Sequence, residues 1–156
     1  MNLTAFSDYT LRVLMVLALN PERLVTIAEV ARVFGISRNH LMKVVHALAL
    51  SGDVQSVRGK GGGLRLARAP EAILLGQVVR RSEGNAPIVE CLGPEKPTAC
   101  CIAPVCRLRG ALVEGFAALY AALDRYTLAD LVSNEQPLRL ALLGERPSRS
   151  RAARPR

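Results

Sequence analysis

Residues 26–48 read TIAEVARVFGISRNHLMKVVHAL and residues 54–66 read VQSVRGKGGGLRL; these two stretches decide the fold. Thr26 with Glu29 three residues on is a capping box, which predicts a short helix that begins Ile27-Ala28-Glu29-Val30-Ala31 and ends near Gly35. Ser37 caps a second helix in which Leu41, Val44, Val45 and Leu48 fall at i, i+3, i+4 and i+7. Two short helices joined by Phe34-Gly35-Ile36 have the spacing of a helix-turn-helix. Val54 to Arg58 and Leu64-Arg65-Leu66 flank a glycine-rich run, so they predict a β-hairpin, the wing. Upstream, Leu11, Leu14, Val16, Leu17 and Ala18 crowd one side of a helix from Ser7 to about Asn20, stopped by Pro21. Residues 1–70 therefore read as a winged-helix DNA-binding domain.

Downstream of Pro70, a fourth helix is predicted from Leu75 to Ser82. Residues 84–104 lack periodicity and hold several prolines, so they read as loop. Leu108, Leu112, Phe116, Leu119, Leu123 and Tyr126 then recur in steps of three and four, which predicts a long amphipathic helix from about Val105 to Tyr126. Such a stripe needs cover. The same helix of a second copy is the economical partner, and packing onto the chain's own domain is the alternative. Thr127 caps a short helix through Leu131, and an Arg/Pro/Ser tail follows. The expected fold is mainly α with a small β-hairpin wing: a winged helix-turn-helix domain plus a long C-terminal dimerisation helix. Residues 71–143 would hold a cluster-binding loop and that helix, and residues 144–156 a disordered Arg-rich tail.

The formal charge of +8 is unevenly spread. Residues 1–70 hold nine Lys/Arg against four Asp/Glu, residues 71–144 hold seven against eight, and residues 145–156 hold five against one. A basic N-terminal half points to a polyanion, with nucleic acid ahead of membrane. No apolar run approaches the roughly 18 residues that span a bilayer, and no export signal is recognisable, so a cytoplasmic protein is expected. No nucleophile, base or substrate pocket stands out, which argues against an enzyme.

On the predicted recognition helix, Ser37, Arg38, Asn39, Lys43 and His46 fall on the outer face. Arg pairs with guanine and Asn with adenine, while Ser37 and Lys43 suit phosphates. An ordinary solvated face is the competing reading, and the adjoining wing tips the balance to double-stranded DNA. At the wing tip, Arg58 and Lys60 sit among glycines, where a guanidinium can enter the narrow minor groove. A nucleotide-binding loop fails here, because Lys60 is followed by Gly and the next element is a strand.

The four cysteines, Cys91, Cys100, Cys101 and Cys106, all lie within sixteen residues. In a reducing compartment this clustering favours a metal centre over disulfides. The absence of a paired CxxC weakens structural zinc. Three spaced thiolates plus one ligand from elsewhere suit a cubane iron–sulfur cluster. Zinc, and reactive or incidental thiols, stay open on spacing alone.

Several motifs occur together: Leu3-Thr4-x-Phe6-x-Asp8-Tyr9-x-Leu11-Arg12, Ser37-Arg38-Asn39-His40-Leu41-x-Lys43, Val57-Arg58-Gly59-Lys60-x-Gly62-Gly63-x-Arg65-Leu66, Cys100 to Leu108, and Tyr126-Thr127-Leu128-Ala129-Asp130-Leu131. Together, over about residues 1–143, they resemble the NsrR family of nitric-oxide-sensing repressors, within the winged-helix regulators that also include IscR. The resemblance implies a homodimer on an inverted-repeat, A/T-rich operator, with one 4Fe–4S cluster per protomer and 2Fe–2S as the lesser alternative. It implies that Cys91, Cys100 and Cys106 of one chain hold the cluster, with Asp8 from the first helix of the other chain as fourth ligand. Arg12, one turn on, would support the cluster or pair with Asp8. Two features depart from the family pattern: eight residues separate Cys91 from Cys100 where the family usually has about five, so Gly93-Pro94-Glu95-Lys96-Pro97 reads as an insertion, and Cys101 is extra, a bystander or a substitute for Cys100 as ligand.

The resulting expectation is a repressor whose operator affinity is controlled by a cluster that reacts with nitric oxide. A carboxylate is a harder and weaker iron ligand than a thiolate, so the Asp8 corner is the expected point of attack. An IscR-like regulator of cluster assembly or iron supply is the alternative. An electron carrier would not need the wing, and a structural zinc protein would be colourless.

Overall fold

The computed structural model describes residues 3–84, 89–93 and 100–144. Most of the insertion that begins at Gly93 and the Arg-rich tail after Gly144 lie outside the described residues. Helix α1 spans Ala5–Ala18, two residues earlier at each end than the apolar pattern suggests, because Thr4 is the N-cap and accepts from the Ser7 N–H at 3.2 Å. Its buried face holds Val13, Leu14, Val16 and Leu17 together with Ser7 and Thr10. Both hydroxyls are satisfied, Thr10 by donating to the Phe6 carbonyl at 2.7 Å and Ser7 by Ser82 and Glu83. The chain turns away at the buried Asn20, whose amide donates to the Val16 carbonyl at 2.8 Å.

Helices α2 (Ile27–Phe34) and α3 (Arg38–Leu50) form the helix-turn-helix as expected. The capping box is complete, with Glu29 accepting from the Thr26 N–H at 2.6 Å. Gly35 takes φ 66°, a left-handed turn that an L side chain resists, and Ile36 buries itself in the junction. Leu41, Val44, Val45 and Leu48 are all buried.

The wing is an antiparallel pair, β1 (Val54–Val57) and β2 (Gly63–Leu66), with Val54 opposite Leu66 and Val57 opposite Gly63. Val25 joins its base: its N–H donates to the Leu64 carbonyl at 3.0 Å, and the Leu64 N–H returns a bond at 2.8 Å. Between α3 and β1, the fully buried Asp53 is held by Arg68 and Arg81, each at 2.5 Å, and by the Ser51 hydroxyl at 2.8 Å. Arg81 belongs to α4 (Leu75–Glu83), so this clamp ties the root of the wing to α4.

One core serves the described chain. Ile73, Val78 and Leu128 join Leu14, Leu17, Leu41 and Val44 in it, and each fully buried Leu or Ile contributes about 1.5–3 kcal/mol of transfer free energy.

The long helix α5 runs Arg107–Leu123, shorter than its apolar repeat. Val105 lies instead in a short 3₁₀ turn, Ala103–Val105, and Cys106 is extended at ψ 104°. Beyond the helix, the Tyr126 carbonyl accepts from the Leu75 N–H at 3.0 Å, and the Leu128 N–H donates to the Ile73 carbonyl at 2.9 Å. These bonds staple the C-terminal end of α5 to α4. Gly76 permits the approach, since a Cβ there would collide with the Asp124 carboxylate. Asp124 pairs with Arg80, whose guanidinium also lies 4.8 Å from the Tyr120 ring centroid. Helix α6 (Leu128–Leu131) follows the Thr127 cap as expected.

A seventh helix, α7 (Glu135–Leu143), is unforeseen by the sequence pattern. Pro137 reads as a breaker, yet it falls in the first turn, where its missing N–H costs no hydrogen bond. The long helix is therefore followed by two short ones. Among the described residues, no helix is long and apolar enough to cross a membrane.

Candidate functional site

The N-terminal end of α3 presents Ser37, Arg38, Asn39 and His40 to solvent, with Lys43 and His46 further along. Ser37 is half committed: its oxygen caps the helix by accepting from the His40 N–H at 3.3 Å, leaving its own proton free to donate. Arg38, Asn39, Lys43, Arg58 and Lys60 are exposed and bond no described residue. The arginines that brace the fold differ, because Arg12, Arg23, Arg65, Arg68, Arg80 and Arg81 are all engaged.

The wing tip is shaped by its glycines. Gly59 and Gly61 take φ 100° and 79°, the Gly62 N–H closes onto the Gly59 carbonyl at 2.9 Å, and a Cβ on Gly62 would strike the Val57 carbonyl. That folding leaves Arg58 and Lys60 projecting from a short rigid loop. Since α3 packs against β1 and the Asp53 clamp locks the root, recognition helix and wing share one frame.

The first turns of α1 reach into that frame. Asp8 accepts from the Arg12 guanidinium at 2.9 Å, and the same guanidinium lies 5.1 Å from the centroid of the Phe34 ring, at the C-terminal end of α2. Tyr9 stacks on His40 of α3, with centroids 6.3 Å apart and rings inclined by 29°. Beside that stack, a cleft of about 230 Å³ opens between Phe6, Tyr9, His40 and Lys43. Sequence reasoning missed Tyr9, Phe34 and His40. Tyr9 lies in the motif around Asp8, but periodicity alone marks it only as the edge of a core helix.

The α1 N-terminus is also tied to the end of α4. Glu83 accepts from the Thr4 N–H at 2.8 Å, the Thr4 hydroxyl at 3.1 Å and the Ser7 hydroxyl. Burial opposes its ionisation, but these donors outweigh it and hold the Glu83 carboxyl below its ordinary range. Glu29 is also held low, first by the Thr26 N–H, against desolvation, then by the Thr26 hydroxyl and Arg23.

All four cysteines are free thiols. Cys91 lies in the short turn Glu90–Leu92 and Cys106 at the N-cap of α5, both half-buried, while Cys100 and Cys101 are exposed. No side chain caps α5, whose N-cap residue is Cys106. Among the described residues, no three His, Cys, Asp or Glu side chains converge on one ion. The donor chemistry nevertheless suits iron and sulfide: soft, unoxidised thiols within one stretch, and an Asp8 side chain 46 % exposed and open to a second molecule.

The described residues leave much of the α5 surface uncovered. None of its seventeen residues is buried, and Leu108 and Val113 are 63 % and 52 % exposed.

Comparison with known proteins agrees with this architecture. Residues 3–134 match the family Rrf2, described as iron-dependent transcriptional regulator. The HTH-type transcriptional regulator NsrR of Halalkalibacterium halodurans is 45% identical over 148 residues, covering 94% of this chain and 100% of that protein. The HTH-type transcriptional regulator NsrR of Bacillus subtilis is 47% identical over 139 residues, covering 88% and 94%. Among solved structures, IscR of T. potens superposes with a TM-score of 0.69 at 24% identity, over 88% of this chain and 90% of that one, a likeness of fold.

Proposed function

The chain belongs to the Rrf2 family of transcriptional regulators and is not an enzyme; from that premise we propose that it is a homodimeric repressor whose hold on an inverted-repeat operator is set by an iron–sulfur cluster that responds to nitric oxide. The observation that carries this reading is the wiring of α1. Asp8, the candidate ligand, bonds Arg12; Arg12 rests on Phe34 at the end of α2; and Tyr9, beside Asp8, stacks on His40 of the recognition helix. Whatever pulls on Asp8 pulls on α3.

In this reading Cys91, Cys100 and Cys106 of one protomer hold a 4Fe–4S cluster, and Asp8 of a second copy completes it. When bound, the cluster supplies an iron centre able to react with nitric oxide. The protein's own part is positional. Asp8, which bonds Arg12 within its own chain, would hold the group through its carboxylate and would join α1 of one protomer to the cysteine stretch of the other. The stripe of α5, half-buried at Leu112, Phe116, Leu119 and Leu123 and exposed at Leu108, would supply the two-fold contact. Release of Asp8 frees α1, and through Tyr9 and Phe34 the recognition helix. Half-sites lie about 34 Å apart along the duplex, so a small reorientation of two such helices costs much of the affinity. Arg38 and Asn39 read base edges, Ser37 and Lys43 take phosphates, and Arg58 and Lys60 bring the wing to the neighbouring groove. Such a protein works in the cytoplasm, with Cys101 either a bystander or a stand-in for Cys100 as ligand.

Regulation of cluster assembly or iron supply is the alternative, but the IscR likeness extends to fold alone. The test is anaerobic purification with iron and sulfide analysis, followed by nitric oxide titration while binding is followed on a duplex selected by the protein from a random pool. Brown, iron-loaded protein that loses the duplex as nitric oxide is added is expected. Iron-free protein that binds undiminished, or loaded protein indifferent to nitric oxide, overturns the reading.

A further inference from the structure

The side chains of α3 divide three ways. Leu41, Val44, Val45 and Leu48 enter the core. On the flank toward α1, His40 stacks on Tyr9, and Lys43 lines the cleft that Phe6 and Tyr9 also line. The remaining strip is Arg38, Asn39, Met42 and His46, all exposed. Steps of three and four put Met42 on one face with Arg38 and Asn39 before it and His46 after it. Three members of that strip offer hydrogen-bonding groups. Met42, 52 % exposed, offers an apolar one.

A lone exposed methionine on an ordinary helix needs no account; this one stands in the second turn of the recognition helix. In helix-turn-helix docking, the N-terminal part of that helix meets base edges in the major groove. Helical side chains lean toward the N-terminus, so Met42 leans toward the turn that holds Arg38 and Asn39. The apolar group that a base pair presents in the major groove is the C5-methyl of thymine. We propose that Met42 is a specificity residue that packs on the C5-methyl of a thymine adjoining the base that Arg38 or Asn39 contacts. An unbranched thioether adapts its shape to such a methyl. Cytosine at that place would present an amino group to a sulfur that accepts hydrogen bonds only weakly. The polar residues around Met42 break up the continuous apolar surface that a protein partner would need. The inference rests on the DNA-binding reading, but on neither the cluster nor nitric oxide.

The test takes the duplex that the protein selects from a random pool and replaces each thymine in turn by deoxyuridine. That change removes one methyl and leaves every hydrogen-bonding group in place. For the unaltered protein, a position in each half-site should lose about fourfold in affinity, the value of one buried methyl. Met42→Ala should bind the thymine and deoxyuridine duplexes equally well at that position. Met42→Leu should keep the preference, and the polar Met42→Gln should lose it. Far-UV circular dichroism checks that the variants are equally helical. The slope of log K against log salt should not change in Met42→Ala, whereas loss of a phosphate contact, as in Lys43→Ala, lowers it by about 0.9. A Met42→Ala protein that still prefers thymine fourfold overturns the proposal, as does an unaltered protein indifferent to deoxyuridine at every position. An unaltered protein that selects no duplex at all removes the DNA-binding reading and this inference with it, a different failure.

Discussion

The stretch from α1 to α4 and the stretch from Cys91 through α5 are built on opposite terms. In the first, Val13, Leu14, Leu41, Val44 and Ile73 are fully buried, Asp53 is clamped by two arginines, and α1, α2 and α3 start on side-chain caps. In the second, seventeen helical residues include none that is buried, α5 has no capping side chain, and four thiols stand unpaired. One half finishes its structure with its own residues. In the function proposed above, the other half is finished by a second copy and by an inorganic group, and the proposed sensor needs that contrast: a reader joined to a part whose completion depends on conditions.

The contrast is sharpest in a matched pair of truncations. Leu41→Ala opens a cavity in a closed core and should cost about 2–5 kcal/mol in urea denaturation. Leu108→Ala, on the exposed stripe, should change chain stability by less than about 0.5 kcal/mol and instead weaken self-association in sedimentation. Equal costs for the two would dissolve the distinction.

Next in size is the joint between the halves. Gly76→Ala would push against Asp124 and disturb its pairing with Arg80. It should cost about 1–3 kcal/mol and lower operator affinity by re-aiming α5. An unchanged melting temperature together with unchanged affinity would show that α5 does not depend on that contact.

Most of the first half is legible in the amino-acid sequence. Thr26, Glu29, Gly35 and Ser37 announce the helix-turn-helix through capping chemistry that acts over three or four residues, and the glycines of the wing tip announce a turn. Local signals of that kind are written in adjacent residues. The wiring of α1 is not legible there, because Tyr9–His40 and Arg12–Phe34 join residues 22 or more apart and leave no periodic trace. α7 is hidden by Pro137, whose meaning depends on where the helix begins. For the cysteines, spacing suggests a soft-metal centre, and the family resemblance names the ligands. Asp8 has no signature of its own, since an acid in the first turn of a helix is equally a partner for the dipole.

The smallest effect expected is on acid stability. Glu83 is held below its ordinary pKa of 4.5 in the folded chain, so its contribution is present above about pH 4.5 and is lost as the pH falls through its lowered value. Glu83→Gln should flatten the acid limb of a melting curve recorded between about pH 6 and 3, by about 1 kcal/mol or less given its partial exposure. An unaltered acid limb would mean that the tie between α1 and α4 contributes nothing to folding.

The central claim is that the metal group is shared between two chains, and a mixed dimer tests it directly. Asp8→Ala and Cys106→Ala protomers, each iron-poor alone, are refolded together without oxygen, and iron is measured per dimer. If the ligands come from different chains, each mixed dimer holds one complete set, and since random pairing makes about half of the dimers mixed, the preparation should regain about a quarter of the iron and colour of the unaltered protein. Should the mixture stay as pale as its two parents, Asp8 and Cys106 would belong to one site within one chain, contradicting this account.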